Sequence, residues 1–308
     1  MAASGITVLG STNLDILVKQ DRLNHVGETI IIKDALVCGG GKGANQAVQI
    51  ARLGHSPRFV TPLGSDALGQ SLRAELEGYG LSLDDVVTKE GTSGIGLVHF
   101  LADGTLTSTV VEGANGKIGI ADLESRKDAL LGCNWLVAQL ELPVAVVEQA
   151  LVAGAAAGAK VILNTAPAMP LSRKALEAVD VLIANEVEAG YYLEIDIGKM
   201  DAFISAGLRF AELYSFSMVV TLGPKGSVLF DKGSAISFPA LDVPVVETTG
   251  AGDSYVGAFV VALAEGRDIQ DACRFASCAS SLTIQKIGGQ RSMPDKEAVL
   301  EMYRQYFS

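Results

Sequence analysis

The chain has 308 residues, of which 49% are hydrophobic and 19% charged. This composition excludes an intrinsically disordered chain, because there is ample apolar surface for a core. The 24 basic and 35 acidic residues give a net charge of −11, which argues against a nucleic-acid partner because it repels the phosphate backbone.

Strands and helices alternate along the chain, and the strands are continuously apolar. That pattern predicts an α/β fold with a central, mostly parallel sheet whose two faces are covered by helices. The predicted strands are 6–9, 58–61, 135–140, 160–164, 181–183, 218–222 and 227–230. The predicted helices are 43–53, 68–79, 144–157, 253–265, 269–284 and 295–306.

Two segments, 14–37 and 94–111, break this alternation and favour strands joined by polar turns. The second predicts a hairpin, with Asp103-Gly104 supplying the turn. Because a small isolated sheet is marginal in water, we expect it to pack on the main domain or on a second subunit. The expected organisation is one domain over 1–308, with a lid formed by about 14–38 and 93–112, and a homodimer formed through that lid.

Targeting signals are not evident in the sequence. Uncharged segments such as 161–172 and 213–224 hold about a dozen residues, short of the ~20 that a membrane-spanning helix needs. The first ten residues lack the basic start and long apolar stretch of a secretory signal. We therefore expect a cytoplasmic protein without a membrane partner. Its cysteines should be buried thiols: Cys38, Cys133, Cys273 and Cys278.

A glycine-rich turn at Gly250-Ala251-Gly252 runs directly into an apolar helix. Free N–H groups at a helix start bind anions, so this turn predicts a phosphate site. Asp253 follows at the first helical turn, where it could cap the helix or act as a base beside the phosphate. A helix start would not raise its pKa, so we expect the ordinary value of ~3.9.

A second glycine-rich turn, 38–47, also opens into a helix and places Lys42 and Asn45 in the turn. It is not a Walker A loop, because no Ser or Thr follows Lys42. It is a poor dinucleotide fingerprint as well, because Phe59 to Thr61 stand where an acidic residue is expected. The alternative interpretation is a structural turn with a solvated lysine.

Polar residues also follow several predicted strands. Asn13 and Asp15, two residues apart, should project to the same side, although an Asx-turn explains them equally well. Glu141, Asn185 and the segment 185–188 occupy equivalent strand ends, where ligands bind in open α/β sheets.

Together these motifs resemble those of the ribokinase-like sugar kinases, and the ribokinase branch most closely. The resemblance runs from Gly10 to about Pro294. It is carried by Gly-Gly-Lys-Gly-Ala-Asn-Gln-Ala (40–47), Gln-Leu-Glu (139–141), Asn-x-x-Glu (185–188), Thr-Leu-Gly-x-x-Gly (221–226) and Thr-Thr-Gly-Ala-Gly-Asp (248–253).

The resemblance implies roles for individual residues. Sugar contacts would come from Asn13, Asp15, Gly41, Lys42, Gly43, Ala44, Asn45 and Glu141. Asp253 would take the proton of the hydroxyl, with Gly250, Ala251 and Gly252 stabilising the transferred phosphate. ATP would be held by Asn185, Thr221, Leu222, Gly223, Pro224, Lys225, Gly226, Gly252, Asp253 and Ser277. Glu188 would organise Mg²⁺ through water.

One position departs from the family pattern. Glu247 stands where the family's monovalent-cation site usually has Asp, so K⁺ activation is expected to be weakened or retuned. The other candidate cation ligands implied by the resemblance are Thr249, Thr283, Lys286, Gly288 and Ser292.

The function that the resemblance implies is transfer of the γ-phosphoryl group of ATP to the terminal (5-)hydroxyl of a pentose, with D-ribose as the first choice. The alternatives are a sister kinase acting on deoxyribose, fructose or a nucleoside, and a sugar-binding protein without turnover.

Overall fold

Alternating strands and helices run through residues 5–101 and 106–307, the part of the chain that this computed structural model describes. The strands are β1 (Ile6–Leu9), β2 (Asn13–Gln20), β3 (Ala35–Gly40), β4 (Arg58–Gly64), β5 (Val86–Lys89), β6 (Gly94–Leu101), β7 (Leu106–Val111), β8 (Trp135–Ala138), β9 (Lys160–Asn164), β10 (Val181–Asn185), β11 (Ser217–Thr221), β12 (Ser227–Asp231) and β13 (Ser234–Phe238). The helices are α1 (Lys42–Arg52), α2 (Ala67–Gly78), α3 (Ile120–Ser125), α4 (Lys127–Leu131), α5 (Val144–Ala156), α6 (Arg173–Leu176), α7 (Glu186–Leu193), α8 (Met200–Tyr214), α9 (Ala251–Ala264), α10 (Ile269–Thr283) and α11 (Lys296–Phe307).

The main sheet has the strand order β13-β12-β11-β10-β9-β8-β1-β4-β5. Pairing is parallel from β5 across to β11, and β12 and β13 continue the sheet in antiparallel fashion. Helices cover both faces. Val8 packs into the core that includes α1, α9 and α10, while its neighbour Leu9 packs into the core on the side of α5 and α8. Burial on both faces explains the continuous apolar strands and confirms the predicted α/β class.

A separate small sheet has the order β3-β2-β6-β7. Its outer pairs are antiparallel, whereas β2 and β6 run parallel in the middle. The pairing of β6 with β7 confirms the predicted hairpin, and the predicted turn at 102–104 lies outside the described residues. The small sheet stands at the carboxyl edge of the main one, because β2 follows β1 after three residues.

Several sequence-based expectations need correction. The strand predicted over 135–140 ends at Ala138, and helix α1 already begins at Lys42, so Lys42 and Asn45 lie in the helix rather than in the turn. The chain also forms elements that the pattern did not predict, namely α3, α4, α6, α7, α8, β5 and β13.

The thiols are all unpaired, but Cys133 is partly exposed, unlike the other three. Among the described residues, no helix has both the length and the apolar character needed to cross a membrane.

Candidate active site

A cavity of about 550 Å³ opens between the carboxyl edge of the main sheet and the small sheet. Parallel strands bring their polar carboxyl ends to the same edge, so residues far apart in sequence meet there. The predicted site residues on its wall are Asn13, Asp15, Gly41, Lys42, Asn45, Glu141, Asn185, Glu188, Thr221, Gly223, Thr249, Gly250, Gly252 and Asp253. The volume is in the range of small-molecule sites.

Other predicted site residues are not part of the wall. Gly43 and Ala44 are buried in α1, and Ser277 lies in α10 with its hydroxyl donating to the carbonyl of Cys273 at 2.9 Å. The remaining ones away from the wall are Leu222, Pro224, Lys225, Gly226, Glu247, Ala251, Thr283, Lys286, Gly288 and Ser292.

Helix α9 presents its N-terminus to this cavity. Gly250 precedes the helix with a φ of 77°, a left-handed conformation that glycine adopts without strain. The N–H of Ala251 donates to the carbonyl of Thr248 at 3.2 Å. Among the described residues, the N–H groups of Gly252 and Asp253 have no acceptor. These two amides, at the positive end of the helix dipole, are suited to hold an anionic oxygen.

The Asp253 carboxylate points away from its own helix and bonds to α1. Its Oδ2 accepts from Asn45 Nδ2 at 2.8 Å, and its Oδ1 accepts from Gln46 Nε2 at 3.2 Å. The capping interpretation is therefore wrong, because no side chain in the described part of the chain caps α9. Burial raises the pKa of Asp253, against the opposing effect of Lys42 and the two amides. The expectation of an ordinary pKa was therefore also wrong.

Lys42 begins helix α1 and stands among several carboxylates. Its backbone N–H donates to Glu141 Oε2 at 3.1 Å, and the hydroxyl of Ser11 donates to the same oxygen at 2.5 Å. Burial lowers the pKa of the Lys42 ammonium, but the nearby carboxylates more than offset this, and the net direction is upward. These carboxylates are Asp253, Glu141, Glu188 and Asp15. Lys42 is thus held as a cation in the cavity, and the interpretation as a solvated turn lysine is wrong.

Asn13 and Asp15 both line the cavity from β2, as their spacing predicted, and the Asx-turn interpretation is wrong. Asn13 Oδ1 accepts from Asn115 Nδ2 at 2.7 Å, which fixes the orientation of its amide. Asp15 fits between two glycines of the neighbouring strands. A Cβ atom at Gly40 or Gly96 would lie 1.9 or 2.2 Å from a carboxylate oxygen of Asp15, so side chains there are excluded.

At the other end of the cavity, β10 leads into α7 through a capping box. Asn185 Oδ1 accepts from the N–H of Glu188 at 2.9 Å, and the Glu188 carboxylate accepts from the backbone and side chain of Asn185 at 2.9 and 2.8 Å. Burial raises the pKa of Glu188, which faces the cavity. With both oxygens engaged by Asn185, this carboxylate fits a metal held through water better than one bound directly.

Near the start of α9, two buried oxygens are candidate ligands for a monovalent cation. Glu247 is buried, and its Oε2 accepts from the N–H of Gly288 at 3.0 Å. Glu247 Oε1 and Thr249 Oγ1 are also buried, and neither has a hydrogen-bond partner among the described residues. Thr283 is less available, because its hydroxyl is engaged with Ser254 Oγ at 2.8 Å. A buried oxygen without a hydrogen-bond partner destabilises the folded protein unless a cation or a water molecule binds to it.

Some residues of the site were missed by sequence analysis. Gln46 and Asn164 lie beside Asp253, and Asn115 orients Asn13. From the small sheet, Gly96, Val98, Ser108 and Val110 close the cavity. The position of Gln46 within the glycine-rich motif was the one available signal. Nothing local marks the others, because their partners lie far away in sequence.

Comparison with known proteins identifies the family to which this chain belongs. Residues 3–296 match the family model described as "pfkB family carbohydrate kinase". The chain is 33% identical to the ribokinase of Staphylococcus aureus over 297 residues, covering 96% of this chain and 98% of the relative. A structure of Arabidopsis thaliana ribokinase complexed with ribose and ATP matches with a TM-score of 0.87 and 34% identity, covering 99% of this chain and 100% of that one.

A crystal structure of Thermotoga maritima ribokinase matches with the same TM-score of 0.87 and 30% identity, covering 97% and 99% of the two chains. Both structural matches include the main sheet and the small sheet. From the match of the family model over nearly its whole length and from these relatives, the chain belongs to the pfkB family of carbohydrate kinases and is a phosphotransferase.

Proposed function

We propose that this kinase transfers the γ-phosphoryl group of ATP to the terminal (5-)hydroxyl of a pentose, with D-ribose as the first candidate. One observation carries the proposal. The Asp253 carboxylate shares one cavity with the helix start that carries the free amides of α9 and with the polar side chains of Asn13, Asp15 and Lys42. A sugar bound by these side chains would present a hydroxyl to Asp253 and to a phosphate at the helix start.

The proposed step forms one bond and breaks one. The sugar oxygen attacks the γ-phosphorus, the bond to the oxygen bridging the β- and γ-phosphorus breaks, and ADP leaves with that electron pair. The hydroxyl proton passes to Asp253. Because phosphoryl transfer has a loose transition state, positioning and charge stabilisation supply most of the catalysis. In this proposal the N–H of Gly252 and the ammonium of Lys42 stabilise the negative charge.

The nucleotide would occupy the end of the cavity lined by Asn185, Thr221 and Gly223. The other residues of the turn, Leu222, Pro224, Lys225 and Gly226, lie off the wall together with Ser277, and contacts from them to ATP are part of the proposal. Mg²⁺, bound with ATP, would neutralise phosphate charge, and Glu188 would hold it through water.

A panel of acceptors tests the proposal. ADP release would be measured with D-ribose, deoxyribose, fructose and a set of nucleosides, with the phosphorylated position identified by NMR. We expect the highest kcat/KM with D-ribose and phosphate on its 5-hydroxyl. A higher value with another acceptor would reassign the substrate. Sugar binding without ADP release from any acceptor would instead indicate a binding protein without turnover.

Sugar affinity should depend on pH through Asp15. Burial, together with the charges of Glu141 and Asp253, raises the pKa of Asp15 to about 7. A sugar hydroxyl donates best to the ionised carboxylate, so protonation of Asp15 should compete with binding. We expect the Kd of ribose, measured by calorimetry, to rise as pH falls below about 7, by at most about tenfold per pH unit. A Kd that is constant between pH 6 and 8 would contradict this role for Asp15.

K⁺ activation should depend on Glu247. We expect Glu247→Gln to remove the response of turnover to KCl, because the neutral amide contributes no charge to the buried cation. Glu247→Asp, which restores the family residue, should retain the response at an altered K⁺ concentration. The measurement is turnover against KCl, with tetramethylammonium chloride holding ionic strength constant. Identical K⁺ curves for the parent protein and Glu247→Gln would show that the cation does not bind at Glu247.

We also propose that the small sheet acts as a lid and forms a homodimer. Val37, Leu97 and Val111 lie on its face opposite the cavity and are 48%, 38% and 46% exposed. Covering such an apolar face with a second copy would remove it from water. Sedimentation equilibrium of the parent protein and of Leu97→Lys would measure the association.

A further inference from the structure

We propose that Gln46 is a positioning residue for Asp253: a chain of buried amides fixes the direction of its side chain so that one N–H always faces the Asp253 carboxylate. The proposal rests on the proposed role of Asp253 as acceptor of the hydroxyl proton. It goes beyond that role by assigning the group that aims the base.

The contacts form a continuous buried network. Gln46 is fully buried, and its Nε2 lies 3.2 Å from Asp253 Oδ1 and 3.2 Å from Asn164 Oδ1. Its Oε1 accepts from Gln139 Nε2 at 2.6 Å. Asn164 in turn donates through Nδ2 to the backbone carbonyl of Ile183 at 3.1 Å. Every polar atom of Gln46 therefore has a partner.

The direction of the network is set at its far end. A backbone carbonyl can only accept, so Asn164 must turn its NH₂ group to Ile183 and its oxygen to Gln46. Gln46 must then present its own NH₂ group to that oxygen, and its second N–H points at Asp253. Gln139, which is also fully buried, supports this orientation by donating to the oxygen of Gln46. Reversing the Gln46 amide would bring its oxygen against two acceptors, Asn164 and Asp253.

Gln46 differs from the other donor to Asp253. Asn45 lies on the cavity wall and can contact substrate directly, whereas Gln46 is not part of the wall. Gln46 therefore acts on the cavity through the wall residues that it contacts, Asp253 and Asn164, and of these Asp253 is the one that takes the proton in the proposed step. With Asn45 on Oδ2 and Gln46 on Oδ1, the carboxylate plane is fixed and its remaining lone pairs are available to the cavity.

The charges around Asp253 make its ionisation sensitive to the hydrogen bond from Gln46. Asp253 faces Lys42 from α1, Asp15 from β2, Glu141 after β8 and Glu188 from α7. Three of these four are acidic and favour protonation of Asp253. Hydrogen bonds to the ionised form oppose that effect, so losing the Gln46 donor should move the pKa of Asp253 upward.

Gln46→Met tests the proposal, because methionine matches the length of the side chain and removes both amide groups. We expect turnover at pH 7 to fall about ten- to a hundredfold, the range for a lost hydrogen bond to a charged group, with the sugar KM changed by less than about threefold. The acidic limb of the kcat profile should move to higher pH, and turnover should recover in part under alkaline conditions. A purely structural role would lower turnover without moving this limb.

Two further variants keep the test decisive. Gln139→Met leaves Gln46 in place but removes the donor to its oxygen, so we expect a smaller shift of the limb in the same direction. Gln49→Met is the matched control. Gln49 is equally buried on α1 but bonds to Ser254 Oγ at 2.8 Å and to the carbonyl of Pro294 at 3.1 Å, not to Asp253. It should lose thermal stability while keeping the parent pH profile.

The outcomes distinguish failure of the positioning role of Gln46 from failure of the proposed function. If the parent protein phosphorylates ribose and Asp253→Asn does not, but both Gln46→Met and Gln139→Met keep the parent pH profile, the positioning role is overturned and the proposed function stands. If Gln49→Met moves the acidic limb as far as Gln46→Met does, the role is also overturned. If the parent protein phosphorylates no acceptor, the proposed function itself has failed.

Discussion

Replacing Asp253 by asparagine is expected to lower turnover by about 10²- to 10⁴-fold, the usual contribution of a general base. The amide has nearly the same shape as the carboxylate but cannot take the proton of the attacking hydroxyl. The free N–H groups at the start of α9 remain, so sugar and nucleotide should still bind. Single-turnover assays at pH 7 would measure the chemical step, and calorimetry would measure the Kd of ribose.

The substitution also has a predictable side effect. Asn45 and Gln46 both donate to Asp253, but an asparagine carries only one acceptor oxygen. With the amides of Asn45 and Gln46 oriented as they are, one of the two donors would face an NH₂ group, and the variant should unfold at a lower temperature than the parent. Calorimetric binding shows whether the site survives this loss. Turnover within tenfold of the parent would mean that Asp253 is not the base.

Lys42→Met is expected to have the second-largest effect, with kcat/KM at pH 7 lowered by about a hundredfold or more. The ammonium is surrounded by carboxylates, and removing one member of a buried ionic group leaves the others uncompensated. The affected groups are Asp15, Glu141, Glu188 and Asp253. Methionine keeps most of the apolar stem, so the change is chiefly one of charge.

The sign of the pH effect follows from the same arrangement. Lys42 lowers the pKa of Asp253 and of Asp15, so its removal should raise both. Both groups would then stay protonated up to a higher pH, whereas sugar binding and proton acceptance need them ionised. We expect kcat/KM of the variant to rise with pH across a range where the parent profile is flat. A profile parallel to that of the parent at all pH values would contradict this account.

A matched control is available in Lys296. Its ammonium is paired with Glu265 at 2.6 Å on the surface and does not line the cavity. Exposed ion pairs contribute little to stability. Lys296→Met should therefore keep the parent kcat/KM and pH profile. This result would show that loss of a lysine charge elsewhere in the protein does not by itself lower kcat/KM.

The amino-acid sequence alone was sufficient to predict the α/β class, the hairpin over 94–111 and the two glycine-rich helix starts. Each of these depends on neighbours in the chain: apolar continuity for buried strands, an Asp-Gly turn for the hairpin, and glycine before a helix. Helix α8 was missed although its buried residues follow helical spacing, and it carries Gly207 in its interior, where glycine is disfavoured. The fold explains that glycine, because a Cβ atom there would lie 2.5 Å from the Phe230 ring.

The chemistry of the site was decided by tertiary structure. Asn45 and Gln46 reach Asp253 across more than two hundred residues of sequence, and Asn115 reaches Asn13 across about one hundred. No local pattern records such pairs. Local sequence also failed to predict the ionisation of Asp253. Its position at a helix start suggested an ordinary pKa, whereas burial in the folded protein raises that pKa. A residue type and its spacing indicate which group could react, but desolvation and nearby charges, which set its proton affinity, exist only once distant segments have packed together.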